Sequence, residues 1–369
     1  MATTAERPTQ SPPGWLRDVL ARASLRVPPR VTRLQGRNES YLVEGAGRSV
    51  VVKRLVGPAS ADRFARSVAH AAYAAHDPGV PELVHVDEPL RVLVFGNLVG
   101  AVSGNALLVQ ERFTPQLCAQ VGLALGRLHS APPAGSELPR RAAALPTERM
   151  LRALPLEAVN AMTAGEVDAW RLIQSDESLL GYVGRLREHS AAAEPVSIHG
   201  DLRIDQVLVA DEAAYLVDWE EFGPGDPAYD TGSWVGEWVY RAVLDIPTAR
   251  GDGVGTDESH GVLEHRGLDA DEIVRRGVAK LDALSPQIVA FWDAYRAERA
   301  VDADELARVT GYAGWHLLDR LLALAHSKAV LPGVPRAAAG VGKRLLANPA
   351  GAAEALGLRP SAPGTGVAA

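Results

Sequence analysis

The chain has 369 residues, 47% of them hydrophobic and 22% charged, with a formal net charge of −7. That length exceeds a single hydrophobic core and points to two lobes, and the ordinary apolar-to-charged balance excludes disorder for the body. The acidic balance argues against nucleic acid as a main partner, and the absence of any long apolar run or basic leader argues against a membrane span or signal peptide, so a cytoplasmic protein is expected. Cys118 is the single cysteine, which excludes an intrachain disulfide; in its apolar helical stretch it reads as an inert buried thiol.

Residues 1–14 are rich in Thr, Pro and Ser and read as a flexible tail. Short β-like runs follow: Leu25 to Val27, Val31 to Leu34, then Tyr41 to Glu44 and Ser49 to Lys53 joined by a Gly-containing turn, the pattern of a hairpin. A helix is expected over 59–76, ending before Asp77-Pro78 because proline disfavours helical geometry in the preceding residue. Two further strands, Leu83 to Val86 and Arg91 to Phe95, complete a small lobe over 15–100, and Gly96 to Gly104 reads as the hinge. From 101 to 346 the chain turns helical. Leu117, Val121, Leu125 and Leu128 keep the period of a buried helix face, and helices are expected over 164–191, 230–244, 270–299, 302–328 and 336–346. Within this lobe, 196–219 is a β-rich interlude and 248–262 a surface loop; 347–369 reads as a second flexible tail.

The interlude carries the chemistry. Asp201 follows the turn His199-Gly200, and Asp218, seventeen positions on, ends the apolar strand Ala214 to Val217. Phosphoryl transfer needs one carboxylate to orient the acceptor hydroxyl, another to hold a metal on the phosphates, and a cation nearby. Lys53 supplies a second argument. It is the only lysine in the first 279 residues of an arginine-rich chain, and it ends a Val-Val-Val strand, where a compact ammonium suits a phosphate.

Three blocks, His199-Gly200-Asp201-Leu202-Arg203-Ile204-Asp205-Gln206, Val217-Asp218-Trp219-Glu220 and Gly225-Asp226-Pro227-Ala228-Tyr229-Asp230, resemble in order and spacing the aminoglycoside phosphotransferase and choline kinase-like family. The resemblance implies an α+β, two-lobed protein-kinase-like fold, with a small β-rich N-lobe and a larger helical C-lobe that carries a catalytic loop at 199–206 and a metal segment at 214–230. It implies ATP and Mg2+ as cofactors, Asp201 as the catalytic carboxylate and Asp218 as a metal ligand. Lys53 would meet the phosphates beneath a turn containing Gly36 and Asn38, and the adenine would lie against Leu93, Val94 and Phe95. Arg203, where relatives carry Lys or His, would either steady the transferring phosphoryl group or pair with Asp201 or Asp205. His199 and Gly200 are expected to shape the loop, Trp219 to pack, Glu220 and Glu221 to be exposed, with contact of one of them to metal or substrate as the alternative, and the carboxylates of the third block to brace the loop.

Two departures stand out. Gln206 replaces the family's metal-binding Asn, with Asp205 as an alternative oxygen, and the helix over 59–76 lacks the Glu that partners the lysine, Ser67 standing near its place. The spelling of the loop also resembles a divergent branch that phosphorylates Ser or Thr of a precursor peptide in lanthipeptide and thioamide-peptide biosynthesis, ahead of a partner lyase. A precursor peptide is therefore the expected acceptor. An aminoglycoside-type small-molecule kinase, with Asp252, Asp257, Glu258 and Glu264 as candidate acceptor-binding acids, and a non-catalytic pseudokinase remain alternatives.

Overall fold

The structure, a computed structural model, describes residues 5–8, 12–25, 30–45, 48–73, 79–132, 138–141, 145–248 and 269–361. The N-lobe runs β1 (Ala5–Pro8), α1 (Gly14–Arg22), β2 (Arg30–Leu34), β3 (Glu39–Glu44), β4 (Ser49–Arg54), α2 (Ser60–Tyr73), β5 (Leu83–Asp87) and β6 (Val92–Gly96). Its six strands form one sheet in the order β1-β2-β3-β4-β6-β5, every pairing antiparallel. The expected hairpin is β3–β4. Two differences follow from packing. The segment read as a flexible tail contributes β1 to the sheet edge, and α1, which was not expected, places Leu16, Val19 and Leu20 at the i, i+3, i+4 spacing of a buried stripe. All three are fully buried beneath Val31, Val43, Val52 and Val94, each contributing about 1.5–3 kcal/mol. Leu25 lies outside any strand, and the rest of that expected strand lies outside the described residues.

The C-lobe begins with β7 (Val102–Ser103), α3 (Gly104–Val109) and α4 (Pro115–Ser130), continues through α5 (Glu148–Arg152), α6 (Leu156–Ala161), α7 (Ala164–Gln174) and α8 (Glu177–Ala192), and reaches β8 (Val196–Ile198), β9 (Val207–Ala210), β10 (Ala213–Leu216) and β11 (Gly223–Gly225). It closes with α9 (Pro227–Asp245), α10 (Ala270–Glu298), α11 (Ala303–Ala325), α12 (Gly333–Ala347) and α13 (Pro349–Ala355). The single helix expected over 164–191 is two, because Asp176 breaks the run and caps α8, its carboxylate accepting the Leu179 N–H at 3.1 Å. Nor is 347–369 loose throughout: α13 packs there, and Leu356 and Leu358 join the core. That core is built on Trp234, Trp238, Phe291, Trp292 and Tyr295, all fully buried between α9, α10 and α4. Helices α4 and α10 meet at Gly122, where a Cβ would stand 2.2 Å from the Phe291 carbonyl oxygen. Cys118 lies buried in the same core, and burial raises its thiol pKa far beyond the ordinary range. The acids of the 248–264 loop lie outside the described residues. Among the described residues no helix is long and apolar enough to cross a membrane.

Candidate active site

Sheet register decides what Lys53 can reach. Lys53 on β4 sits opposite Leu93 on β6, and Val52 opposite Val94; successive residues of a strand face opposite sides. Val52 and Val94 face α1 and are fully buried there. Lys53 is thereby turned to the other face, toward the C-lobe. The same alternation corrects the adenine expectation for Val94, whose side chain lies on the wrong side of the sheet. On the Lys53 face the half-buried apolar residues of these strands are Val51 and Phe95. The Lys53 ammonium donates to the Asp218 carboxylate and lies 3.1 Å from Glu220. Burial disfavours the charge on Lys53, but the two carboxylates outweigh it and its pKa is raised. Asp218 mirrors this: burial pushes the carboxyl up, and Lys53 brings it below the usual range.

The catalytic loop is shaped from beneath. Asp226 caps α9, accepting the Ala228 N–H at 3.1 Å with Pro227 as the first helical residue, so the first turn of α9 points Asp230 at the loop. The fully buried Asp230 carboxylate accepts the His199 N–H at 2.6 Å and the Gly200 N–H at 2.9 Å, and lies 3.3 Å from His129 Nε2. This is the bracing role expected for the third block. His199 Nε2 donates to the Val217 carbonyl at 3.0 Å while its Nδ1 accepts the Asp201 N–H at 3.3 Å, tying the two carboxylate-bearing segments together. Gly200 has a φ of +81°, and a Cβ there would lie 2.4 Å from the Glu221 carbonyl oxygen. Asp218 itself adopts a φ of +71°, an uncommon conformation for a residue other than glycine and one often found at functional sites.

Asp201 stands at the rim, its side chain 36% exposed and thus open to an acceptor. Burial of the rest of its surroundings raises its pKa, with Arg203 and His199 opposing and Asp218 adding to the rise. Arg203 lies 3.2 Å from Asp205 and 3.5 Å from Asp201, an ion pair that leaves its charge beside the Asp201 carboxylate. Gln206 is almost fully buried in a single 3-10 turn; its backbone carbonyl accepts the Val217 N–H at 3.0 Å, and its side-chain Oε1 has no hydrogen-bond partner.

Glu220 is the residue that sequence reasoning misjudged. Expected to be exposed, it is 3% exposed and gathers three side chains: Lys53, the Asn38 amide at 2.8 Å, and Arg37. It therefore stands in for the missing helix glutamate and also fastens the Gly36-Arg37-Asn38 turn to the C-lobe. Ser67 has no such role, its hydroxyl donating to the Arg63 carbonyl one turn back. Glu221 is likewise enclosed, held by Arg63 at 3.1 Å and by Arg141. Arg66 donates to the Phe222 carbonyl at 2.9 Å, and His70 stacks on Trp219 with ring centroids 3.7 Å apart. Helix α2 thus grips 219–222 with arginines and a ring where a glutamate was expected to grip the lysine. The only sequence signal was an acid two positions past Asp218.

A six-stranded lobe joined to a helical one, with Lys53, Asp201 and Asp218 gathered where they meet, defines a kinase-fold phosphotransferase. The sequence model described as "Phosphotransferase enzyme family" matches residues 30–264, and the chain belongs to that family. It is a kinase whose acceptor is a hydroxyl or similar group. Among solved structures, the fold resembles a spectinomycin phosphotransferase in complex with ADP and spectinomycin (12% identity, 92% of this chain and 98% of that one, TM-score 0.53). It also resembles the choline kinase LicA from Streptococcus pneumoniae (13%, 90% and 98%, TM-score 0.52). A third likeness is to the amicoumacin kinase hAmiN in complex with AMP-PNP, Ca2+ and Ami (14%, 90% and 93%, TM-score 0.51). At such identities the likeness establishes the fold. No curated protein matches the chain.

Proposed function

We propose that this chain transfers the γ-phosphoryl group of ATP to the hydroxyl of a small organic acceptor, with Mg2+ on the phosphates, in the cytoplasm. The observation that carries the reading is the convergence of Lys53 on Asp218 beside the loop that presents Asp201. The residues fit a magnesium ion. Asp218 offers a carboxylate, and the partnerless Gln206 oxygen is a hard donor of the kind such an ion takes. The described residues contain no cluster of three or more His, Cys, Asp or Glu able to hold a metal, so phosphate oxygens and water would complete the shell. Bound there, the ion would neutralise charge on the β- and γ-phosphates.

The protein's own part is alignment. Lys53 is held by Glu220 and aimed by β4 into the cleft, ready to meet phosphate oxygens. Asp201 orients the acceptor hydroxyl, whose oxygen bonds to the γ-phosphorus as the bond to the β–γ bridging oxygen breaks. ADP leaves with that electron pair, and the hydroxyl proton passes to Asp201, whose burial-raised pKa makes it a better base than an exposed aspartate. Arg203, between Asp201 and Asp205, keeps a fixed positive charge beside the developing phosphoryl charge.

A small acceptor is supported by a cavity of about 370 Å3 whose wall includes Ile198, the residue before the catalytic loop, the size of an ordinary small-molecule site. A precursor peptide with a partner lyase is the competing reading, resting on the spelling of the loop. Purified chain with ATP and Mg2+ should phosphorylate small alcohols, read by mass spectrometry, in preference to Ser- and Thr-containing peptides. Asp201→Asn should lower turnover by about a thousandfold with the KM for ATP unchanged. Phosphorylation of peptide alone would replace the small-acceptor reading with the peptide one. ATP binding without transfer to anything would make the chain a pseudokinase.

A further inference from the structure

The cavity beside the catalytic loop is lined by three arginines, Arg140, Arg141 and Arg187, against a single carboxylate, Asp226. That carboxylate is committed elsewhere: it caps α9 and pairs with Arg308 at 3.0 Å. Arg141 shares Glu221 with Arg63. Arg140 donates only to the carbonyls of Ser190 and Ala193, at 2.9 and 2.8 Å. Arg187 donates to the Pro146 carbonyl, and its Nε is buried without a partner. Among the described residues, neither Arg140 nor Arg187 has a carboxylate partner. In a protein whose net charge is −7, this is a local excess of positive charge around an open cavity whose wall also carries the exposed Thr147 hydroxyl.

The other side of Asp201 is acidic, with Asp201 and Asp205 sharing Arg203. Asp205 pairs with Arg203 at 3.2 Å, Asp319 with Arg320 at 2.8 Å, and Glu237 with His316 at 2.7 Å. The excess of positive charge is therefore confined to the arginine-lined cavity. Its wall contains Tyr229, the residue before the loop-bracing Asp230, and Ile198, three residues before Asp201. A molecule seated there lies next to the catalytic turn.

We infer that the acceptor is an acidic alcohol, whose carboxylate or phosphate group is held by Arg140, Arg141 and Arg187 while its hydroxyl is presented to Asp201. This rests on the phosphotransferase reading given above, and deepens it: the product is the phosphate ester of an acid, formed with ATP as the only co-reactant. Guanidinium groups bind carboxylate and phosphate in the same forked manner, so both acids are candidates.

The test compares D-glycerate, sn-glycerol 3-phosphate, glycerol and ethanolamine as acceptors, together with isothermal titration of the two acids into the ATP-free protein. Wild type should prefer one of the acids over glycerol and ethanolamine by tenfold or more in kcat/KM. Arg187→Gln and Arg140→Gln should each reduce that preference about tenfold, the scale of one charge-assisted hydrogen bond. The exposed Arg336→Gln serves as a charge control and should leave it intact. Preference for ethanolamine or glycerol, or an acid preference that survives both substitutions, overturns the inference. If no acceptor is phosphorylated but both acids bind with a heat lost in Arg187→Gln, the kinase reading fails and the anion site stands. Absence of acid binding together with absence of acid preference removes the site.

Discussion

Replacing Glu220 with alanine tests whether this residue does the work of the missing helix glutamate. In the wild type its nearly buried carboxylate holds Lys53 at 3.1 Å, accepts from Asn38 at 2.8 Å and pairs with Arg37. Arg37 is 54% exposed at its side chain, so solvent screens that pair and it contributes little. The Lys53 and Asn38 contacts are enclosed, and hydrogen bonds to charged groups of this kind are worth about 1.5–3 kcal/mol each. Lys53 retains Asp218 in the variant, which offsets part of the loss. A net cost of about 2–3 kcal/mol falls on the geometry that receives phosphate, or roughly 30- to 150-fold in kcat/KM for ATP at 1.36 kcal/mol per decade. A coupled assay of ADP release across a range of ATP concentrations reads this directly, with circular dichroism and a denaturation curve to verify the fold. Glu220→Gln, which keeps an acceptor for Asn38 but not the charge for Lys53, should fall between wild type and Glu220→Ala. A kcat/KM for ATP within threefold of wild type in the alanine variant would refute the reasoning.

Three further outcomes follow from the same site. Burial first, and the nearby His199 second, lower the His70 pKa to about 3, so His70 is neutral in the folded protein while an unfolded histidine titrates near 6.5. Below that pH the unfolded chain takes up a proton that the folded one does not, and stability falls as pH drops from about 6.5 toward 3; by pH 5 the loss is about 2 kcal/mol. His70→Phe keeps a ring on Trp219, and urea denaturation at pH 7 and pH 5 should show it losing about 2 kcal/mol less than wild type; equal losses would sink this argument. Gly200→Ala, which forces a Cβ against the Glu221 carbonyl at a positive φ, should cost about 1–3 kcal/mol of stability and displace Asp201, lowering kcat at least about tenfold. Gln206→Leu should raise the Mg2+ concentration needed for half-maximal rate on the order of tenfold while stability stays within about 1 kcal/mol, because the oxygen it removes has no protein partner. An unchanged Mg2+ requirement would dismiss Gln206 as a ligand.

What could be read from the sequence was whatever is local. Asp201 and Asp218 announce themselves because a glycine turn and an apolar strand precede them, and Asp230 because Asp-Pro opens a helix at fixed spacing. The roles of Glu220 and Val94 were not local. Glu220 finds Asn38 and Arg37 across separations of 182 and 183 residues, which no pattern in either neighbourhood encodes. Val94 sits in an unbroken apolar strand, Val92 to Phe95, so the sequence does not say which face is buried; α1 decides that, and α1 itself is a nine-residue helix close behind a proline-rich segment. Helix α13 was lost to composition, since Ala and Gly read as fraying but also permit close packing. Asp176 could have divided the helix over 164–191, since an Asp before an apolar periodic run is an ordinary helix start.

The Asp230 carboxylate gives the catalytic turn a property that outlasts any one substrate. Its two backbone donors are His199 and Gly200, and through His129 it touches a ring hydrogen-bonded to Tyr295 of α10 at 2.9 Å, deep in the helical core. The turn is therefore braced from the helical core by bonds that no reactant has to supply. Choosing among guests then falls to the groups around the turn, since the backbone donors of His199 and Gly200 are already taken by Asp230.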